Sequence, residues 1–452
     1  MKTDNNNQID SKKSIILVIF GISGDLARRY LLPAVGEIER AQILPENFHI
    51  VGVTRKKDLK FESLLKKTAD FSYLKEHASI FQVDVNNIED YKRLAICLNE
   101  ITDKFGQKTE KLFYLSIPPE AQKLVIESLG KSGLNKNDSK LLLEKPFGSD
   151  LESAKDLIKH TEKYFSKENV FRIDHYMAKE LAQNILVFRD GNSLFKRTWN
   201  KDFIESIEII ASEQIDIEGR VNFYEQTGAM RDYVQNHLLQ LLALVLMDLP
   251  KSFRTGGVIP NLRHKALKSL EIVDIVYGQY EGYKEEINNP SSQTETFTSV
   301  TLKSTDSKWK NVPIILTTGK ALKERFTEIK ILYKKEKYNE SNELILQIQP
   351  EESIKFSILA KRPGYEHSLN SHQLAFKLRE HYDILPDAYE KVLFDAINSD
   401  SSLFTTSNEV IDSWEILHRA RKLQEKARSR LLIYKKGSSI NDVMNIHKKN
   451  EE

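Results

Sequence analysis

SIILVIFGISGDLARRYLLPAV, residues 14 to 35, runs a block of branched apolar side chains into a turn with two glycines, then into a stretch of helical spacing. An unbroken apolar block predicts a strand covered on both faces, since a strand with one wet face would alternate. Gly21 and Gly24 permit a tight turn. A helix starting at Asp25 or Leu26 would then aim backbone N–H groups and its N-terminus at a pyrophosphate. The spacing departs from G-x-G-x-x-G, and a plain strand-to-helix turn relieved by glycine is the competing reading.

Outward from this stretch the same rhythm recurs. FHIVGV, KLFYLSI and KLLLE are short apolar runs separated by amphipathic segments. Strands alternating with helices predict βαβ units on a parallel sheet, a Rossmann-type α/β domain over residues 14 to 180. Near Asp202 the texture changes: FIESIEIIA, TFTSVTLKS and NELILQIQP alternate in period two, and MRDYVQNHLLQLLALVLMDL reads as one long apolar helix. Residues 181 to 435 are expected to form an α+β domain on a large, mainly antiparallel sheet. Residues 1 to 13 read as a disordered polar leader and 436 to 452 as a polar tail that frays.

At 452 residues the chain is long enough for about two or three domains, with apolar residues at 40% and charged residues at 29%. Lys+Arg 67 against Asp+Glu 65 gives a net charge of +2, so there is no bulk field for nucleic acid or an anionic membrane. An anionic ligand must meet a local cluster of bases. Cys97 stands alone, which excludes an intrachain disulfide and a cysteine-cluster metal site and suits a reducing cytoplasm; no metal is expected. No apolar run approaches transmembrane length.

Loops at the ends of the expected strands carry the chemistry-bearing residues. HIVGVTRKK closes on Arg55, Lys56 and Lys57, where a site for NAD commonly places an acid, so a 2′-phosphate and hence NADP is favoured. A solvated basic loop is the alternative. LSIPP offers a rigid turn on which a nicotinamide could rest. LLLEKPFG sets Lys145 before Pro146, a bond open to the cis form, in extended geometry pointing into the crevice.

RIDHYMAKE, residues 172 to 180, lies at the seam between the two halves, where small-molecule sites usually form. If the strand VFRIDHY persists, Asp174 and Tyr176 share a face; if a helix begins at His175, that residue meets Lys179 at i, i+4. His175, Tyr176 and Lys179 would make a phosphate clamp, which an acid would weaken. Asp174 therefore needs another partner. His237, beside a run of leucines, is driven toward its neutral form, and a neutral histidine oriented by a carboxylate is a general base. A satisfied core histidine is the competing reading. Asp232, Gln235, Asn236 and Gln240 give its helix a polar face too rich for a core element.

GISGDLA, LSIPP, EKPFG, RIDHYMAKE, IEGRVNFYEQTGAMRDYVQNHLLQ, GKALKER and LPDAYE, in this order, resemble the glucose-6-phosphate dehydrogenase family from about Ser14 to Trp414. The resemblance implies oxidation of D-glucose 6-phosphate at C1 to 6-phospho-D-glucono-1,5-lactone with reduction of NADP, opening the oxidative pentose phosphate route. It implies His237 as the base and Asp174 as its orienter. His175, Tyr176 and Lys179 match the phosphate ligands, and Glu213 and Asp232 match acids that take sugar hydroxyls. Lys145 matches a lysine touching both cofactor and substrate; Lys320, Arg325 and Gln349 match further substrate-side residues. On the cofactor side Gly21, Ser23, Gly24, Asp25 and Leu26 match the pyrophosphate turn, Arg55 the 2′-phosphate ligand, and Asp84 with Val85 the adenosine-side pair. A homodimer or homotetramer through the large sheet is implied as well.

The chain departs from the family pattern at four places. Ala178 stands for a glycine after the HY pair, Val221 to Tyr224 stand at the glycine-bearing part of a GR-x-G-Y-F motif, Asn311 replaces another glycine, and IYKKGSSIN replaces the usual ending. None removes a matched catalytic group. A related aldose-phosphate dehydrogenase with another cofactor preference, or an inactive NADP-binding regulatory paralogue, are the alternatives.

Overall fold

The computed structural model describes residues 9, 12–65, 72–106, 108–136, 139–251, 258–337, 340–365, 368–382, 385–427 and 431–451. The first sheet holds β1 (Ser14–Phe20), β2 (Asn47–Thr54), β3 (Ala78–Gln82), β4 (Thr109–Leu115), β5 (Lys140–Leu143) and β6 (Val170–Arg172). Its order is β3-β2-β1-β4-β5-β6 and every pairing is parallel. Every residue of β1 is buried. Its side chains alternate between two cores, with Ile16, Val18 and Phe20 in one and Ile15, Leu17 and Ile19 in the other, which is why the strand after Ser14 is apolar at every position.

The second sheet contains β7 (Ile204–Ser212), β8 (Leu270–Tyr280), β9 (Phe297–Ser304), β10 (Ile314–Gly319), β11 (Phe326–Tyr333), β12 (Glu343–Gln349), β13 (Ser353–Lys361), β14 (Leu369–Lys377) and β15 (Leu432–Tyr434). The order is β14-β13-β12-β11-β7-β10-β9-β8-β15, antiparallel except at β7 with β10 and β8 with β15. The expected apolar helix runs as a π-wound segment, Met230–Leu238, continued by an α-helix, Leu239–Leu246. All eight residues of the α-helical part are buried between the two sheets' shared core. Among the described residues no helix is long and apolar enough to cross a membrane.

Three expectations need correction. The strand VFRIDHY ends at Arg172, and no helix begins at His175: the Asp174 carboxylate accepts the Tyr176 N–H at 3.0 Å, closing a turn that neither element would allow. A helix does follow, over Glu180–Gly191. The tail is not frayed: β15 joins the sheet and Ile440–Glu451 is a helix whose Ile440, Val443 and Met444, spaced i, i+3, i+4, pack on Tyr280, Tyr283 and Tyr434. The helix Ala388–Asn398, assigned to the second domain, instead packs on the first. Tyr389, Val392, Leu393, Ala396 and Ile397 form one stripe against the Ile15, Leu17 and Ile19 side. Most of the leader lies outside the described residues, but Ile9 is buried in that same core.

Candidate active site

The loops following all six strands of the first sheet lie at its C-terminal edge, where ligands of open parallel sheets bind. In the turn after β1 the Gly21 and Ile22 N–H groups donate to Val53 O at 3.0 and 3.2 Å, and the Gly24 N–H donates to Gly21 O at 2.8 Å. Gly21 has φ +80°, and a Cβ there would lie 2.1 Å from Ser116 O of the neighbouring strand end. Only glycine fits, because the neighbouring strand end closes on the backbone at that point. Ser23 Oγ lies 3.5 Å from Thr54 Oγ1. Asp25, exposed, pairs with Arg29 at 2.7 Å, while Leu26 is half-buried behind the turn. Arg55 is exposed at the end of β2, followed by two lysines. Asp84 spends one carboxylate oxygen on the Asn86 N–H at 3.0 Å, and Val85 is half-buried beside it.

At the seam a buried chain forms. Asp174 Oδ1 accepts from His237 Nδ1 at 2.6 Å, and His237 Nε2 lies 2.6 Å from Lys145 Nζ. Asp174 comes from the turn after β6, Lys145 from the turn after β5 beside the cis Lys145–Pro146 bond, and His237 from the π-wound helix. Asp174 and His237 are each 3% exposed. Burial alone would raise the Asp174 carboxyl, but His237, Lys145 and His175 outweigh it and hold the group ionised. Burial pushes His237 below its ordinary 6.5; Asp174 opposes the shift and Lys145 adds to it. With Nδ1–H donating to Asp174, Nε2 carries the lone pair. Asp174, His175 and His237 bring ligand-type atoms within 4.8 Å of one another, yet with Nδ1 bonded and Nε2 facing an ammonium the set suits proton transfer better than a cation.

Around this chain stand the other expected groups. Lys320, 2% exposed, places Nζ 2.5 Å from Glu213 Oε2 and 4.0 Å from Asp232 Oδ2. The His175 ring meets that of His237 edge-on with centroids 4.8 Å apart, and burial, with His237 and Lys145, holds it neutral. The Tyr176 hydroxyl takes a hydrogen bond from Gln349 Nε2 at 2.5 Å. Lys179 Nζ sits 6.0 Å above the Tyr176 ring. Arg325 is exposed at the outer rim, and its charge joins burial in lowering Lys179 against the pull of Glu352 and Asp387. Thus Lys145, Asp174, His175, Tyr176 and His237 lie in mutual contact, Gln349 and Lys179 meet the Tyr176 side chain, and Lys320 pairs with Glu213 and Asp232.

Several participants escaped the sequence reading. Tyr233 packs edge-on to His237 at 5.5 Å, Thr327 receives a second Gln349 bond at 3.2 Å, and Glu352 accepts the Leu181 N–H at 2.5 Å. Tyr389 stacks with His175 at 6.4 Å. Asp387 and Tyr389 belong to LPDAYE, a segment whose pattern was visible though its position was not. Glu144, hydrogen-bonded by Tyr114 at 2.5 Å, is pushed up to about 7 mainly by burial, next to Lys145.

A Rossmann-type domain with a glycine turn after its first strand, together with a buried carboxylate–imidazole pair that meets a half-buried lysine, defines a nicotinamide-dependent oxidoreductase. Residues 18–184 match the model for the glucose-6-phosphate dehydrogenase NAD binding domain, and residues 186–450 that for the C-terminal domain. The glucose-6-phosphate 1-dehydrogenase of Chlamydia muridarum is 35% identical, over 89% of this chain and 88% of that one. A solved glucose-6-phosphate dehydrogenase in complex with its substrate glucose 6-phosphate superposes with a TM-score of 0.90 at 30% identity, covering 100% of this chain and 99% of that one. The Mycobacterium avium glucose-6-phosphate 1-dehydrogenase gives 0.82 at 29% identity, covering 96% of each. The chain belongs to the glucose-6-phosphate dehydrogenase family.

Proposed function

We propose that this chain oxidises D-glucose 6-phosphate at C1 to 6-phospho-D-glucono-1,5-lactone, with NADP as the acceptor. The observation that carries the reading is the buried Asp174–His237–Lys145 chain at the seam of a family-wide fold. His237 Nε2 takes the C1 hydroxyl proton, and Asp174, staying ionised, holds the ring and stabilises the imidazolium that forms. When bound, the nicotinamide supplies the hydride acceptor. Lys145 Nζ, 2.6 Å from His237 Nε2, supports a role for this lysine toward both the substrate and the cofactor.

Glu213, Asp232 and Lys320 hold the sugar hydroxyls. Their mutual ion pairs keep the three charges paired and pre-oriented at low entropic cost. Lys179 and Arg325 supply the charge for the 6-phosphate, with Tyr176, Gln349 and neutral His175 donating or relaying hydrogen bonds. The turn at Gly21, Ser23, Gly24, Asp25 and Leu26 fits a pyrophosphate because it joins the first strand of the parallel sheet to the following helical segment at the sheet's C-terminal edge, Arg55 fits a 2′-phosphate, and Asp84 and Val85 flank the adenosine. The cytoplasm is the compartment we assign. The outermost strand β14 is largely exposed, with Leu374 57% exposed, and a second copy seated there makes the homodimer, two dimers the homotetramer.

Initial rates of nicotinamide reduction, with glucose 6-phosphate, free glucose and other hexose phosphates, each against NADP and NAD, test the reading. Fast reduction restricted to glucose 6-phosphate and stronger with NADP is expected. Absence of reduction by folded protein that binds NADP would replace it with a regulatory role.

A further inference from the structure

Lys320 is held from a distant part of the chain. Its side chain points at Glu213 and Asp232, and its backbone is fixed on both sides. The Lys320 N–H donates to Thr296 O at 2.9 Å, and the Lys320 carbonyl accepts the Tyr434 hydroxyl at 2.8 Å. Tyr434 closes β15, more than a hundred residues downstream, and is fully buried. Its hydroxyl also lies 2.9 Å from Thr296 Oγ1, which accepts the Tyr280 N–H at 2.9 Å. With Thr296 donating to Tyr434, one directional chain runs from the Tyr280 N–H through two hydroxyls to the Lys320 carbonyl. Each member polarises the next.

The turn after β15 grips the neighbouring residue. Ala321 has φ +52°, a left-handed backbone that a residue with a Cβ seldom adopts. Both of its backbone polar groups are tied: its N–H donates to Ile215 O at 2.8 Å and its carbonyl accepts the Gly437 N–H at 2.7 Å. The Lys323 N–H donates to Ser438 O at 3.0 Å. Lys436 Nζ reaches Asp216 at 2.8 Å, in the loop that follows Glu213. The segment from Tyr434 to Ser438 therefore touches both loops that present the Lys320–Glu213 pair.

We infer that Tyr434 is a positioning residue of the sugar site, and that the segment IYKKGSSIN clamps the loop from Gly319 to Lys323 so that Lys320 meets the substrate. The inference rests on the proposed function, which places Lys320 and Glu213 against the sugar. Tyr434→Phe removes one hydroxyl and keeps the ring packed on Phe297 and Tyr280. It leaves the Lys320 carbonyl buried without its donor, so the loop relaxes.

Two measurements on the intact enzyme test it. In the Tyr434→Phe variant the KM for glucose 6-phosphate rises about ten-fold while that for NADP stays put, the selectivity a loss of general stability would not produce. Amide hydrogen exchange over residues 319–325 quickens in the variant without any ligand. An unchanged sugar KM, or equal rises for sugar and cofactor, overturns the positioning role, as does unchanged exchange. A wild-type enzyme that never turns over glucose 6-phosphate overturns the functional reading instead, and the exchange experiment still decides whether Tyr434 clamps the loop.

Discussion

His237 can take a proton at Nε2 only while it is neutral, and burial, reinforced by Lys145, outweighs the opposing pull of Asp174 to keep it so. A His237→Asn variant should bind sugar and cofactor with unchanged Kd and lose about 10²- to 10⁴-fold in kcat, the usual worth of a general base. Unchanged turnover would remove the assignment. Both His237 and His175 titrate below the ordinary 6.5, so between the folded and ordinary values the unfolded chain binds protons that the folded chain refuses. Their contribution to stability is therefore complete above pH 6.5 and lost as pH falls through their folded values, and kcat/KM falls on the same acid limb. A kcat/KM profile whose acid limb lies above pH 6.5 would contradict a neutral base. Arg55→Ala should raise the KM for NADP by about ten-fold, the loss of a charge-assisted hydrogen bond, and leave that for NAD unchanged. Equal changes for both cofactors would sink the 2′-phosphate role.

Among the elements, the π-wound helix Met230–Leu238 sets the geometry, since it carries both Asp232 and His237. Wider winding places residues off the usual i, i+4 row, and such segments recur at functional sites. Its start is fixed by Glu295, a half-buried residue whose carboxyl is raised by desolvation and whose Oε1 accepts the Met230 N–H at 3.0 Å. Gly228, at φ +66°, lets the chain pass over that carboxyl, because a Cβ there would come within 2.4 Å of Glu295 Oε1. Gly228→Ala should cost about 1–3 kcal/mol and lower kcat with it, as the helix shifts off its anchor. A lowered melting temperature with full kcat would separate the anchor from the chemistry. Other departures from the family pattern resolve at this scale: Asn311 occupies a left-handed position at φ +67°, which asparagine tolerates, and Ala178 buries its methyl in the first domain's core.

In the whole molecule, one apolar core runs from β1 through the helix Leu239–Leu246 into β11 and β12, so the two halves are bound as a unit around the crevice. Arg263, fully buried, adds a clasp: it donates to Glu409 at 2.7 Å and to Phe404 O at 2.6 Å, where the chain crosses back to the first domain. The sheet edge at β14 stays largely uncovered in the single chain. Light scattering on the purified enzyme should give twice or four times the 52.2 kDa of one chain, and Leu374→Glu should reduce it to one. A monomeric wild type would remove the interface from β14.

Local chemistry made much of this legible in advance. An apolar block such as SIILVIF followed by glycines predicts a strand buried on both faces and then a turn, and period-two runs such as NELILQIQP predict strands with one side covered, as the structure has them. The motifs around Asp174, His237 and Lys145 pointed to the chemistry through their resemblance to a family, since the residue types alone left a core histidine and a surface turn open. Tertiary structure alone decided the rest. Spacing along the chain cannot say that Asp174 and His237, 63 residues apart, share a 2.6 Å bond, that Ala388–Asn398 returns to the first domain, or that Tyr434 reaches Lys320. Those contacts follow from how apolar stripes and strand edges find one another across the fold, a free energy set by the whole chain's burial rather than by any one segment.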